Sequence, residues 1–369
     1  MALRPCLPLL CLVVLCSCGR EAETEIAAGP YLLDVAPAEA TVLWVTSEPA
    51  DTTVECWTGE SLPTTHIDER TTVHRVRLTG LPSDTAVHYR VGSGGAHSAV
   101  HSFRTAPREE RPFTFVVFGD TGGAPERLAA LAEATRAHDP AFVVHAGGYT
   151  AGEGGESAWR RQFFGPAGDL LASRALVPAP GPAAGGSATF ARLFPTAGGT
   201  PWRRHRFLHV ELFALDAREG IAVGDEQYRW LEGALRRSDA QWKIIVLHGV
   251  LFPGAGGRAR ADLRRALYPL LLRARADLVF AAGSAACART APIGSGDTPA
   301  HNALVSFTIT ATPDAGPEPR REPWLADAAA RPGYLRVEVD DEQLTVQALD
   351  ARGTTFDAVT LEKAGSLRD

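Results

Sequence analysis

The sequence has 369 residues, of which 45% are hydrophobic and 22% charged, and these are ordinary values for a globular protein. The length is sufficient for a signal segment and two domains of ~100–200 residues each. The formal net charge is −6, and neither lysine nor arginine is concentrated in one stretch, so the composition does not indicate a nucleic acid partner.

The first residues have the pattern of a secretion signal. Arg4 is followed by an apolar stretch over 7–15, which is too short to span a bilayer, and small residues follow it. We therefore predict a signal peptide over 1–17 and a polar tether over 18–27.

The tetrad Leu15-Cys16-Ser17-Cys18 resembles a bacterial lipobox. The resemblance implies that Cys18 is acylated and becomes the first residue of the mature chain, which is then held in the cell envelope by its lipid. Gly19 follows this cysteine, and by the same resemblance it favours the outer membrane. The membrane, through this anchor, is the only partner that the sequence predicts. The alternative is ordinary secretion, with cleavage near the same position.

Cysteine usage leaves two thiols in the body of the protein. Cys6, Cys11 and Cys16 lie in the predicted signal peptide, and Cys56 and Cys287 lie in different predicted domains. Their spacing does not support a disulfide, so we predict two buried free thiols.

The first predicted domain covers 28–107 and contains short alternating segments separated by turn residues. Such segments, without helical periodicity, indicate strands and a small β-sandwich, and Trp44 is predicted to lie in its core. The run "HRVRLTGLPSDTAVHYRV" resembles part of a fibronectin type III-like domain. The predicted strands are 32–35, 41–46, 53–57, 73–78, 87–91 and 100–103.

The second predicted domain covers 108–363, and a polar linker over 104–112 spans its boundary with the first domain. Continuous apolar runs indicate strands that are covered on both faces, and amphipathic helices alternate with them, which indicates an α/β layered domain. Three further segments at the C-terminal end read as strands. The predicted strands are 113–120, 141–148, 207–216, 242–249 and 276–283, and the predicted helices are 125–137, 225–238 and 261–274.

Ligands of layered α/β domains gather where the strands end. The segments "FTFVVFGDTG", "FVVHAGG", "QYRWLEGALRRSDAQWKIIVLH", "ADLVFAAGSAACAR" and "GYLRVEVDDEQLTVQALDARG" follow one another in the chain. In this order they resemble the calcineurin-like metallophosphoesterases, and with the preceding β-sandwich they resemble the purple acid phosphatases. The resemblance covers about 28–363 and implies a small N-terminal β-sandwich followed by a metallophosphoesterase β-sandwich layered with helices.

The resemblance also implies two catalytic metal ions, which lower the pKa of a bound water and neutralise the phosphate. Among the family's ligand positions, only Asp120 and His248 keep a residue that can bind metal, and in the family these two serve different metals. The bridging aspartate and the other family ligands are replaced by residues that cannot coordinate a metal through their side chains. The replaced positions are Gly148, Ala151, Pro182, Ala183, Gly283 and Ala285.

A catalytic metal normally has about three protein ligands, so one ligand for each metal is too few. Tyr149 and His145 lie near the site in the sequence and are weak substitutes for the missing metal ligands. Further candidates that belong to no recognisable motif are His205, Asp216 and Asn302. We therefore expect no cofactor. If the protein were active, the resemblance implies a dinuclear or mononuclear Fe, Zn or Mn centre.

Isolated polar remnants are usually structural. We expect Asp120 to accept hydrogen bonds from amides at the start of the next helix, and His248 to be a partly buried, hydrogen-bonded histidine.

Three hypotheses on function follow. The first is a phosphatase-like lipoprotein without phosphatase activity, with a scaffold or binding role. The second is an active phosphoesterase with an atypical metal centre. The third is a binding module whose ligand enters the vacated cleft, with Arg289 near its mouth.

Overall fold

A computed structural model describes most of the chain. The described ranges are 24–59, 64–152, 155–182, 186–252, 260–294, 304–311 and 322–363. The predicted signal peptide, Cys18, Ala183 and Asn302 therefore lie outside the described residues. None of the helices in these ranges is long and apolar enough to cross a membrane.

Strands and helices are numbered separately in chain order. The strands are β1 Ile26–Leu33, β2 Glu39–Trp57, β3 Thr65–Thr79, β4 Ala86–Ser93, β5 Ala96–His97, β6 His101–Arg104, β7 Phe113–Phe118, β8 Phe142–His145, β9 Ala175–Pro178, β10 Arg203–Phe207, β11 Val210–Leu215, β12 Trp242–His248, β13 Leu278–Ala282, β14 Cys287–Thr290, β15 Val305–Thr308, β16 Leu325–Ala329, β17 Tyr334–Asp340, β18 Gln343–Leu349 and β19 Thr355–Glu362. The helices are α1 Pro125–Arg136, α2 Gly155–Trp159, α3 Gly165–Ser173, α4 Gly186–Leu193, α5 Glu226–Arg237 and α6 Ala261–Arg273, with a π-helical segment, Arg160–Phe164, between α2 and α3.

Two sheets organise the described residues. One has twelve strands and runs from β19 through β18, β17, β7, β8, β9, β1, β2 and β4 to β5, with β3 on β2 and β6 on β4. The strands β7, β8 and β9 are parallel, and β1 pairs with β9, so the N-terminal domain continues the sheet of the second domain. The other sheet has seven strands in the order β10-β11-β12-β13-β15-β14-β16.

The core lies mainly between the two sheets, and helices cover their outer faces. Phe115 of β7 and Phe280 of β13 meet across the sheets, with ring centroids 6.3 Å apart. The helices α1, α3 and α4 pack on the first sheet, while α5 and α6 pack on the second. This α/β arrangement confirms the predicted fold class. Central strands such as β8 and β13 are buried along their whole length, because one face meets the other sheet and the second meets a helix.

The N-terminal β-sheet domain is packed firmly on the helices of the second domain. The hydroxyl of Tyr31 donates to the Leu193 carbonyl of α4 at 2.6 Å, and that of Tyr89 donates to the Ala172 carbonyl of α3 at 2.7 Å. Trp44 is fully buried, as predicted. Cys56 and Cys287 are both buried and free, which confirms the prediction of two thiols.

The largest local differences from the predicted elements concern β2 and the helices after β8. The predicted strands 41–46 and 53–57 are one strand, β2, whose register shifts between Val45 and Thr52. A proline at 49 falls in this irregular stretch, where a missing N–H is tolerated. The helical segment 155–173 was not predicted, and neither was the edge strand β10.

Candidate functional site

The candidate site lies where strands of both sheets end. Asp120 comes two residues after β7, Gly148 follows β8, and Gly181 follows β9. From the second sheet, His248 is the last residue of β12, and Gly283 comes directly after β13. The structure therefore brings together the positions that the sequence assigned to the vacated metal centre.

Asp120 and His248 bind each other directly. His248 Nε2 lies 2.9 Å from Asp120 Oδ1, and the two side chains are only 16% and 19% exposed. The other carboxylate oxygen, Oδ2, accepts the Gly283 N–H at 2.6 Å. This amide comes directly after β13 in the opposite sheet, and hydrogen bonds from amides at the start of α1 stay a prediction. His248 would have to give up this hydrogen bond before its Nε2 could coordinate a metal.

The space beside Asp120 is closed at the position of the family's bridging ligand. Gly148 has a φ of +76°, and a Cβ added to it would lie 2.3 Å from Asp120 Oδ1 and 2.9 Å from Asp120 Cα. Real Cβ atoms do not approach other heavy atoms this closely, so an aspartate cannot be placed there without moving the backbone. The backbone geometry at 148, and not only the residue type, therefore leaves no room for an aspartate.

The donors at this site do not fit the family's pair of metals. Across the described ranges, no group of three or more His, Cys, Asp or Glu side chains is arranged to hold a metal ion. Asp120 and His248 supply one donor each for the two family metals, whereas catalytic metals normally have about three protein ligands.

Tyr149 and His145, the weak substitutes, are buried beneath the site. Their rings stack at a centroid distance of 4.0 Å, and the Tyr149 hydroxyl donates to the Ala179 carbonyl at 2.9 Å. His145 Nδ1 accepts the Gly147 N–H at 3.2 Å, which leaves Nε2 as the donor to Thr121 Oγ1 at 2.9 Å. Burial lowers the pKa of His145 to about 3 and raises that of Tyr149 well above its usual value. Both residues are packed and hydrogen-bonded within the core.

The other candidate side chains lie elsewhere. His205 is buried on β10 with its ring against Phe142, and burial lowers its pKa to about 4. Asp216 follows β11 and pairs with Arg218, whose Nε lies 2.8 Å from Asp216 Oδ1. The structure does not bring either one to the pair of Asp120 and His248.

Arg289 does not act as an unpaired cation beside a cleft. It forms two hydrogen bonds of 2.8 Å with Asp357, and both side chains are largely buried. Because Arg289 belongs to β14 and Asp357 to β19, this ion pair connects the two sheets. The pair therefore joins the two layers, and the position of Arg289 near the mouth of a vacated cleft stays a prediction.

The backbone contacts that close the site could not be predicted from the side chains. Gly283 contributes an amide, which every residue except proline carries, so no side chain marks its role. A Cβ on Gly181 would lie 2.7 Å from Gly147 Cα, so the loops after β8 and β9 are in direct backbone contact. Only the residue type, glycine, could have suggested such a close approach.

Comparison with known proteins identifies the fold. The family model described as purple acid phosphatase, N-terminal domain, matches 31–105. The chain is similar to a purple acid phosphatase, PPD1, from yellow lupin (Lupinus luteus) seeds, with a TM-score of 0.75, 16% identity and coverage of 90% of this chain and 74% of that one. The chain has the purple acid phosphatase fold.

Two further structures share much of this purple acid phosphatase fold. PhoD is similar with a TM-score of 0.69 and 13% identity over 93% of each chain. GAP50, described as the anchor in the inner membrane complex of Plasmodium, has a TM-score of 0.54 and 12% identity over 70% of this chain and 91% of its own. The search of curated proteins gave no match.

Proposed function

We propose that this protein is a purple acid phosphatase-like lipoprotein without metal-dependent phosphatase activity, with a scaffold or binding role in the cell envelope. The observation that carries the proposal is the direct hydrogen bond between His248 and Asp120, beside a Gly148 backbone that leaves no space for the bridging ligand.

The chemistry of phosphate ester hydrolysis explains why this arrangement supports the proposal. A two-metal site activates a water molecule and neutralises the charge that develops on the phosphate. Asp120 and His248 are held against each other, and the remaining family positions within the described residues carry glycine, alanine or proline. Replacing buried ligands by small residues also avoids the cost of burying charges that have no metal to compensate them.

A role at a membrane is supported by two independent features. The tetrad ending at Cys18 resembles a lipobox, which would place the mature protein on the envelope, with the outer membrane favoured by Gly19. Among the similar folds, GAP50 is described as an anchor in a membrane complex. We expect mass spectrometry of the envelope protein to find an acylated N-terminal Cys18, and Cys18→Ala to release the protein from the membrane fraction. A processed but unacylated N-terminus would contradict the anchor.

The activity test uses an aryl phosphate, 4-nitrophenyl phosphate, with added Fe, Zn or Mn. We expect the purified protein to hydrolyse it no faster than Asp120→Ala does, because the residues cannot hold the metal pair. Asp169→Ala, whose carboxylate is 85% exposed on α3, is the matched control. Metal-dependent hydrolysis that disappears in Asp120→Ala and persists in Asp169→Ala would overturn the proposal. Stoichiometric metal in protein purified from its own envelope would instead favour the atypical or mononuclear centre.

A further inference from the structure

A cavity of about 430 Å³ lies between the N-terminal domain and the second domain. Its walls come from β6 and the linker that follows it, and from the residues that begin β7, β8 and β9. Cavities of 300–1,000 Å³ at domain junctions are typical binding sites for small molecules.

The cavity and the candidate metal site lie at opposite ends of the same parallel strands. Thr114, Ala141 and Ala175 line the cavity at the amino ends of three parallel strands, whereas Asp120 and Gly148 follow the carboxyl ends of two of them. A ligand in this cavity would therefore leave the candidate metal site untouched.

Aromatic rings form the apolar wall of the cavity. Phe113 of β7 is only partly buried and contacts Phe207 of β10, with ring centroids 4.8 Å apart. Phe207 and Phe103 of β6 also line the cavity, but most of their surface is packed in the core behind Phe113. Such a wall favours a flat apolar group, which gains both the burial of its surface and ring contacts.

Three arginines line the polar side, and carboxylates hold them in place. Arg111 forms two hydrogen bonds of 2.7 Å with Asp84, and Arg104 Nη1 donates to the same carboxylate at 3.2 Å and to the Asp84 carbonyl at 2.5 Å. Arg174 donates to Asp139 at 2.5 Å and to the Ser173 carbonyl at 3.0 Å. Three guanidinium groups thus face two carboxylates, which leaves an excess of positive charge. Each guanidinium has five N–H donors, so fixed donors remain for an anion.

We propose that this junction cavity binds a small organic anion with a flat apolar body and a carboxylate or sulfonate group. The apolar body packs on the phenylalanine wall, and the anionic group takes hydrogen bonds from the arginines, above all from Arg174, which is only 25% exposed.

The probe for this site is 2-naphthoate, and the neutral 2-naphthol is its matched control. We expect 2-naphthoate to bind the whole protein with a Kd of about 1 mM or tighter, as is usual for a ligand of this size. We expect 2-naphthol to bind at least about fivefold more weakly, because it lacks the charge that the arginines recognise. Calorimetric titration measures both. No binding of 2-naphthoate at millimolar concentration, or equal affinity for the two compounds, would overturn the proposal.

Two variants locate the site within the fold. Arg174→Met keeps the apolar stem and should weaken 2-naphthoate binding about tenfold, while Ala141→Phe should abolish binding by filling the cavity. Arg229→Met, on the exposed side of α5, is the control and should bind as the wild type does. Thermal unfolding establishes that each variant is folded. If folded Arg174→Met bound 2-naphthoate with unchanged affinity, the ligand would lie elsewhere and the proposal would be wrong.

Discussion

Gly148 and Asp120 compete for the same space at the centre of the candidate site. Asp120 itself has a φ of +50°, a backbone conformation that residues other than glycine rarely adopt, and its carboxylate is fixed by His248 and Gly283. The Asp120 carboxylate therefore occupies the space that the side chain of any larger residue at 148 would need. The residue type at 148 and the position of Asp120 therefore depend on each other.

Restoring the family's aspartate by Gly148→Asp should destabilise the protein. The new Cβ would contact Asp120 Oδ1 at 2.3 Å, and the φ of +76° adds its own strain, so we expect a loss of about 3 kcal/mol or more in the free energy of unfolding. Urea denaturation measures the free energy of unfolding of each variant. The control is Gly152→Asp, where φ is +71° and no atom lies within 4 Å of the new Cβ. Equal losses in the two variants would show that the contact with Asp120 has no effect.

The chemistry at this site could be predicted in part. Asp120 and His248 follow apolar strands with recognisable motifs, so the resemblance located both residues. Their direct contact could not be predicted, because the two residues are 128 positions apart and belong to different sheets. Which sheets face each other, and in what register, is decided by packing over the whole core, and no local pattern contains that information.

Within the N-terminal domain, β3 carries a buried histidine between two threonines. His74 Nε2 lies 2.9 Å from Thr46 Oγ1, and Nδ1 lies 2.8 Å from Thr52 Oγ1. The imidazole stacks on Trp44 at a centroid distance of 4.8 Å. Burial lowers the pKa of His74 to about 4, an effect that the negative charge of Asp51 opposes. This strand therefore contains a group that is neutral in the folded state and protonated more readily in the unfolded one.

This histidine should contribute to the pH dependence of stability, alongside His145 and His205, whose pKa values are also lowered by burial. Because its folded pKa of about 4 is below the unfolded value of about 6.5, its contribution is complete above pH 6.5 and is lost as the pH falls towards 4. We expect His74→Gln to reduce the difference in unfolding free energy between pH 7.5 and pH 5.0 by on the order of 1 kcal/mol. His66→Gln, on the exposed part of β3, is the control. An unchanged difference in His74→Gln would contradict the assignment.

The elements with strong periodicity and clear ends were the ones that the sequence predicted well. For α5 the predicted helix 225–238 is within a residue or two of Glu226–Arg237, because Asp225 caps it by accepting the Tyr228 N–H at 2.6 Å. The segment 155–173 was not predicted. Its π-helical part, Arg160–Phe164, buries the adjacent residues Phe163 and Phe164, whereas a regular amphipathic helix places neighbouring residues on different faces.

At the scale of the whole molecule, the two domains share one sheet and should unfold together. Cys56 in β2 and Cys287 in β14 are buried reporters, one in each domain, and burial raises the pKa of both thiols, that of Cys287 to about 12. We expect both thiols to react with a thiol reagent through openings of equal free energy, measured by mass spectrometry of the labelled peptides. Earlier labelling of Cys56 alone would show that the N-terminal domain opens by itself.

A variant at the domain junction tests whether a contact between the domains stabilises both of them. Tyr89→Phe removes the hydrogen bond to the Ala172 carbonyl and should lower the opening free energy of both thiols by about 1 kcal/mol. The control is Tyr268→Phe, whose hydroxyl donates to the Gly294 carbonyl in a less buried place, so its effect should be smaller.

The pairing of β1 with β9 has a consequence for any attempt to divide the molecule. Leu32 lies opposite Ala175, so the first strand of the N-terminal domain pairs with the start of β9. A shortened protein beginning at the linker would present β9 as an uncovered edge strand made of Ala175, Leu176, Val177 and Pro178. Apolar edges of this kind add strands from neighbouring chains, so such a fragment would aggregate. The small domain thus protects the solubility of the large one.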